Sequence, residues 1–158
     1  FIKEGYKVLK NLLDSAMDFE NSIMYPGIPE YFDNDGRGLY AYLTGAASWY
    51  MLTMITEVFG VRGELGNLVI KPALLPEQFD KDGKAAIKLN FSGRTLKITI
   101  HADIDNIQDN NGVYNKIIRV ECDGNELESA DLKKVVIMKK RIEEMSCERC
   151  HEIDVFIK

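Results

Sequence analysis

Hydrophobic residues recur with helical spacing in the first part of the chain and alternate with polar residues in the second part. A stripe with spacings of three or four residues runs through Ile2, Tyr6, Leu9, Leu13 and Met17. This stripe predicts an amphipathic helix that ends near Asn21. The following segment, 23–38, carries prolines, glycines and an Asp-Asn-Asp run, which predict a structured loop.

Residues 43–59 predict a helix of a different kind. Apolar side chains cover nearly its whole circumference, so we expect it to be buried on every side. It is too short and too interrupted by polar residues to be a membrane span, and Gly60 is expected to end it as a C-terminal cap. One other helix cannot surround it, and the chain opens at Phe1 without an initiator Met. We therefore expect this chain to be a piece of a larger protein whose upstream part supplies the neighbouring helices.

Short alternating runs follow Pro76 and predict β-strands at 85–91, 94–101, 116–122, 135–138 and 153–157. Ser92-Gly93 and Asp123-Gly124 have the composition of two-residue hairpin turns, and the Asp- and Asn-rich segment 103–115 is expected to be a loop. The predicted class is therefore α+β. We expect helices and loops in residues 1–75 and a small antiparallel, sandwich-like β-domain in residues 76–158.

Composition narrows the function classes. The 158 residues carry a formal net charge of -5, with no run of basic residues, which argues against a nucleic-acid partner. Three cysteines do not make a disulfide framework, so a reducing compartment is expected. We expect no contact between this chain and a membrane.

Two short motifs suggest cofactors, and we interpret both as structural. Cys147-Glu-Arg-Cys150-His151 matches the spacing for covalent haem attachment, but no export signal is in view and the motif lies between predicted strands. We interpret it as a turn with two incidental thiols. The run 33–36 suggests a calcium loop, but Tyr31 and Tyr42 would stand at its first and last ligand positions. No cofactor or metal is expected.

The segment 43–49 carries the most specific chemistry. Thr44 is a good N-cap, and the small residues Gly45 and Ala46 leave the first amides of the helix open to an anion such as phosphate. On spacing alone, the alternative that Thr44 simply caps a closely packed helix is favoured. Glu30 and Arg37, in the preceding loop, are either ligand contacts or ordinary surface charges.

Five sequence blocks within residues 20–76 occur in a familiar order: GIPEYF at 27–32, GRG at 36–38, YLTGAASW at 42–49, FGVR at 59–62 and LVIKP at 68–72. Together they resemble the C-terminal part of the cellobiose and chitobiose phosphorylase family, glycoside hydrolase family 94. The residues after Pro76 resemble the family only in kind, since the family ends in a small β-domain.

The resemblance implies that the two helices are the last ones of an (α/α)6 barrel. It implies an enzyme that cleaves a β-glucosidic bond with inorganic phosphate as co-substrate and releases an α-sugar 1-phosphate. It assigns phosphate binding to Thr44 and Gly45 and places Glu30 and Arg37 near the sugar. The family's general-acid Asp lies upstream of Phe1, so we expect the 158 residues alone to be inactive.

The resemblance leaves alternatives open. The parent is expected to be a cytoplasmic phosphorylase acting on a β-linked di- or oligosaccharide, and homodimers are common in the family. A variant is the phosphorylase-like domain of a cyclic β-1,2-glucan synthase, which is a membrane protein. From a different class, the chain is a non-catalytic carbohydrate-binding or scaffold module.

Overall fold

The computed structural model describes residues 1–24, 27–40, 45–102, 116–128 and 132–158. It forms two compact units, Phe1–Met54 and Ile55–Lys158. The predicted α+β class is confirmed, and no (α/α)6 barrel is formed by the described residues. The expected domain boundary between residues 75 and 76 falls inside the second unit.

The first unit begins with α1 (Ile2–Met17) and the short α2 (Phe19–Ser22). The predicted amphipathic helix is confirmed, with a break at Asp18 that the spacing did not indicate. Ser22, which is fully buried, stabilises this break because its hydroxyl donates to the Ala16 carbonyl oxygen at 3.1 Å. Ile23 then ends α2 with a left-handed backbone conformation, φ 53°.

A small hairpin of β1 (Tyr31–Phe32) and β2 (Gly38–Leu39) precedes α3 (Gly45–Thr53). A π-helical segment, Met54–Val58, continues α3, and Gly60 ends it with φ +68°, as predicted. The expected burial of this helix on every side is not met within the described chain. Trp49 and Met51 are 68% and 62% exposed.

In the second unit, β3 (Val61–Glu64) and β4 (Asn67–Ile70) form an antiparallel hairpin. This corrects the expectation that strands begin only after Pro76. The turn between them has positive φ at both Leu65 and Gly66, as in a type I′ turn. Leucine is uncommon at such a position, so the local sequence did not suggest a hairpin.

The strands predicted after Pro76 are confirmed as β5 (Lys84–Phe91), β6 (Arg94–Ala102), β7 (Ile117–Cys122), β9 (Val135–Ile137) and β10 (Cys150–Ile157). A two-residue strand, β8 (Asn125–Glu126), and a helix, α4 (Lys139–Glu144), were not expected. Both predicted hairpin turns are present, with positive φ at their two central residues. The predicted loop 103–115 lies outside the described residues.

In the second unit the described strands form a five-stranded sheet in the order β5-β6-β10-β7-β8 and a three-stranded sheet in the order β3-β4-β9. The expectation of a purely antiparallel domain is wrong at one place, because β10 pairs with β6 in parallel. One face of the five-stranded sheet is apolar and buried. Its side chains include Leu96, Ile98, Ile153 and Val155. No helix among the described residues has the length and apolar content needed to cross a bilayer.

Candidate functional site

The loop that carries Glu30 and Arg37 is held in shape by Asp33. Its Oδ1 accepts hydrogen bonds from the backbone amides of Asp35 at 3.0 Å and Arg37 at 2.9 Å. Gly38 allows close packing at the base of the loop, since a Cβ there would lie 2.3 Å from the Met24 side chain. The predicted structured loop is therefore observed over residues 27–38.

Glu30 extends from this loop to the N-terminal end of α3. Its Oε1 accepts hydrogen bonds from the backbone amides of Gly45 and of Ala46, the latter at 3.2 Å. These amides have no acceptor within the helix, and the helix dipole favours negative charge beside them. The predicted anion site therefore holds an anion, but this anion is the carboxylate of Glu30. The amides that were predicted to be open are occupied.

The structure thus brings together two of the four predicted site residues, Glu30 and Gly45. Arg37 is exposed, and its backbone is fixed by Asp33. Thr44 lies outside the described residues. Tyr50, one turn further along α3, is partly buried, and burial together with the neighbouring Tyr6 and Asp14 raises the pKa of its phenol.

A second polar cluster lies in the other unit and is built around Asp123, in the turn between β7 and β8. Its Oδ2 accepts hydrogen bonds from His151 Nδ1 at 2.7 Å and from the Arg149 guanidinium at 2.8 Å. Its Oδ1 accepts from the Glu152 amide at 3.0 Å. Burial alone would raise the pKa of Asp123, but these hydrogen bonds and the charges of His151 and Arg149 outweigh it and lower the pKa.

His151 is 2% exposed, and its second ring nitrogen, Nε2, lies 3.0 Å from the carbonyl oxygen of Ser146. Beside it is a pocket of about 420 Å³, which we call the Asp123 pocket. Its lining is polar and contains both signs of charge: Cys122, Asp123, Arg141, Glu144, Met145, Ser146, Arg149 and His151. Burial is the main cause of a raised pKa at the Cys122 thiol.

This cluster was not predicted from the sequence, although a signal for it was present. His151 shares its parity with Ile153, Val155 and Ile157, so strand alternation places it on the apolar face of β10. The start of β10 at Cys150 separates the residues of the haem-like motif, because Cys147 lies before the strand whereas Cys150 and His151 lie within it. Cys147 is exposed before β10, Cys150 is exposed at its first position, and both nitrogens of His151 face protein oxygens. Within the described ranges, no group of three or more His, Cys, Asp or Glu residues is placed to hold a metal ion.

Comparison with known proteins adds no assignment to either cluster. No protein-family model and no curated protein matches this chain.

Proposed function

We propose that this chain is the C-terminal part of a cytoplasmic, inverting β-glucoside phosphorylase. The proposal rests on the five sequence blocks that resemble glycoside hydrolase family 94. The structural observation that supports it is that the Gly45 and Ala46 amides donate hydrogen bonds to an anionic oxygen, that of Glu30, where the family resemblance assigns phosphate. In the parent enzyme, α1 and α3 are then the last helices of an (α/α)6 barrel, and the exposed apolar residues of α3 pack against the preceding helices.

In the proposed reaction, a phosphate oxygen attacks the anomeric carbon of the β-linked sugar. The bond to the leaving oxygen breaks, and a general-acid carboxyl group from the upstream region gives that oxygen a proton. Phosphate is already an anionic nucleophile, so the base that an inverting hydrolase uses to activate water is not needed. The family resemblance assigns the binding of this phosphate to Thr44 and Gly45.

Glu30 and phosphate cannot occupy the same amides, since two like charges at one site repel each other. Phosphate binding therefore displaces the Glu30 carboxylate. The displaced side chain, with Arg37 from the same loop, is then available to hydrogen-bond the hydroxyl groups of the sugar.

The test is phosphorolysis of β-linked glucose disaccharides by the natural full-length protein that contains this chain. Thr44→Val removes a hydroxyl donor to a charged ligand, so we expect the KM for phosphate to rise about tenfold or more, with a smaller change for the sugar. Thr53→Val is the matched control, because its hydroxyl donates to the Trp49 carbonyl oxygen at 2.7 Å at the other end of α3.

The proposal fails if the wild-type protein releases no sugar 1-phosphate, or if the two threonine variants have the same KM for phosphate. Absence of sugar 1-phosphate release is the result expected of a scaffold or a simple carbohydrate-binding module. A cyclic glucan synthase is recognised by transmembrane and glycosyltransferase segments upstream. The 158 residues by themselves are expected to release no sugar 1-phosphate, because the general acid lies outside them.

A further inference from the structure

Both ring nitrogens of His151 face groups that only accept hydrogen bonds. Nδ1 lies 2.7 Å from the Asp123 carboxylate and Nε2 lies 3.0 Å from the Ser146 carbonyl oxygen. A neutral imidazole carries one N–H and can donate to one of these oxygens, while its other nitrogen presents a lone pair to the second. The imidazolium donates to both. A ring that is 2% exposed has little water with which to compensate a lost bond.

The two acceptors lie on segments that are separated in sequence. Asp123 belongs to the β7–β8 turn, whereas Ser146 belongs to the connection between α4 and β10. This connection is fixed on one side by Arg94, whose guanidinium donates to the carbonyl oxygens of Glu143 at 2.9 Å and Met145 at 3.1 Å. On the other side it is fixed by Arg149, whose guanidinium pairs with Asp123 at 2.8 Å, just before β10 begins at Cys150. Residues 146–148 thus span two fixed points, and the His151 ring holds Ser146 through its Nε2.

We propose that protonation of His151 holds residues 146–148 closed over the Asp123 pocket. With two ring protons, His151 donates hydrogen bonds to both Asp123 and the Ser146 carbonyl oxygen and so joins them. When one proton leaves, His151 keeps its bond to the carboxylate, releases the Ser146 carbonyl, and lets the connection move away from the Cys122 thiol.

The charges around the His151 ring are consistent with a closed state that is favoured by the protonated ring. The carboxylate of Asp123 faces the ring from the β7–β8 turn, and Arg149 pairs with the same carboxylate. The other titratable or charged side chains of the Asp123 pocket are those of Arg141 and Glu144 from α4 and Cys122 from β7. Asp123 stays ionised over the range in which an imidazole ordinarily titrates, because its pKa is lowered. The closed state is therefore favoured at low pH within that range and is lost as the pH rises.

The test uses the 158-residue chain and nuclear magnetic resonance between pH 5 and 8. At the acidic end, both ring nitrogens of His151 are expected to carry protons. The exchange rate of the Glu148 amide, which donates to the Ser146 hydroxyl at 3.1 Å, is expected to rise about tenfold to a hundredfold toward pH 8 after correction for the intrinsic rate. The Met145 amide, which donates to the Ile142 carbonyl oxygen beside the fixed end, is the control and is expected to change less. His101→Gln removes the other histidine, so the remaining pH dependence belongs to His151.

His151→Gln is expected to lose this pH dependence. Because that variant could fail to fold, the wild-type ring signals decide the question by themselves. An unprotonated nitrogen on the His151 ring throughout the range, or amide exchange at Glu148 with no pH dependence beyond the intrinsic one, overturns the proposal.

Discussion

Gly60 lies where the π-helical segment passes into β3, and two separate constraints require a residue without a side chain there. Its φ of +68° is in the left-handed region, and a Cβ would lie 1.8 Å from the carbonyl oxygen of Lys71. That carbonyl belongs to backbone held beside Gly60, since the Lys71 amide donates to the Gly60 oxygen at 2.9 Å. Gly93 shares only the first constraint, because its φ is +75° but a Cβ there would have no neighbouring atom within 4 Å.

The two glycines therefore separate the cost of the backbone angle from the cost of the steric clash. Gly93→Ala is expected to lower the free energy of unfolding by about 1 kcal/mol, the cost of placing a side chain in the left-handed region. Gly60→Ala is expected to lower it by about 3 kcal/mol or more, because backbone must also move. Urea denaturation followed by circular dichroism measures both, and equal losses would show that the Lys71 backbone yields freely.

The Asp123 carboxylate connects two elements, the β7–β8 turn and the start of β10. Its pKa is lowered in the folded state, so this connection stabilises the protein above the ordinary carboxyl pKa of 3.8 and is lost as the pH falls through the lower folded value. Asp123→Asn keeps the shape but removes the charge. We expect it to lower the free energy of unfolding by about 1–3 kcal/mol at pH 6, with the difference from wild type shrinking below about pH 4.

Asp154→Asn is the matched control for this variant. Asp154 also contacts a histidine, His101 Nε2 at 2.7 Å, but it lies on the opposite face of β10, where its side chain is 27% exposed. A smaller loss is expected there because the partner, His101, has a side chain that is 21% exposed, so water can replace the lost bond, whereas His151 is 2% exposed. If both variants lose the same stability at pH 6, the multiple hydrogen bonds of Asp123 add nothing.

The strands and their faces were predictable because alternation along one strand is a local property. It identified β5, β6, β7 and β10, and the Gly-containing turns between neighbours. The parallel pairing of β6 with β10 was not predictable in this way, since alternation says which face is buried but not which strand lies beside it. The same limit applies to Glu30, whose carboxylate meets amides 15 residues further along the chain. The N-terminus of a helix predicts that an anion binds favourably there, but it does not identify that anion as a side chain or a ligand.

The whole molecule divides its hydrophobic core unequally between the two units. Among the described apolar residues that are buried, Ala16 and Met24 are those in Phe1–Met54, and all the others lie in Ile55–Lys158. The first unit instead exposes large apolar side chains, such as Val8, Trp49 and Met51. A segment that buries little apolar surface cannot offset the conformational entropy lost on folding.

We therefore expect residues 55–158, produced alone, to unfold in one cooperative transition, whereas residues 1–54 alone show none. The physical reason is that the second unit carries nearly all of the described buried apolar side chains, which supply the free energy for cooperative folding. Thermal unfolding followed by circular dichroism and by the dispersion of amide resonances measures both segments. The intact chain serves as the reference, and its transition is expected to lie close to that of residues 55–158. A poorly dispersed, non-cooperative 55–158 segment would show instead that the sheets depend on the first unit.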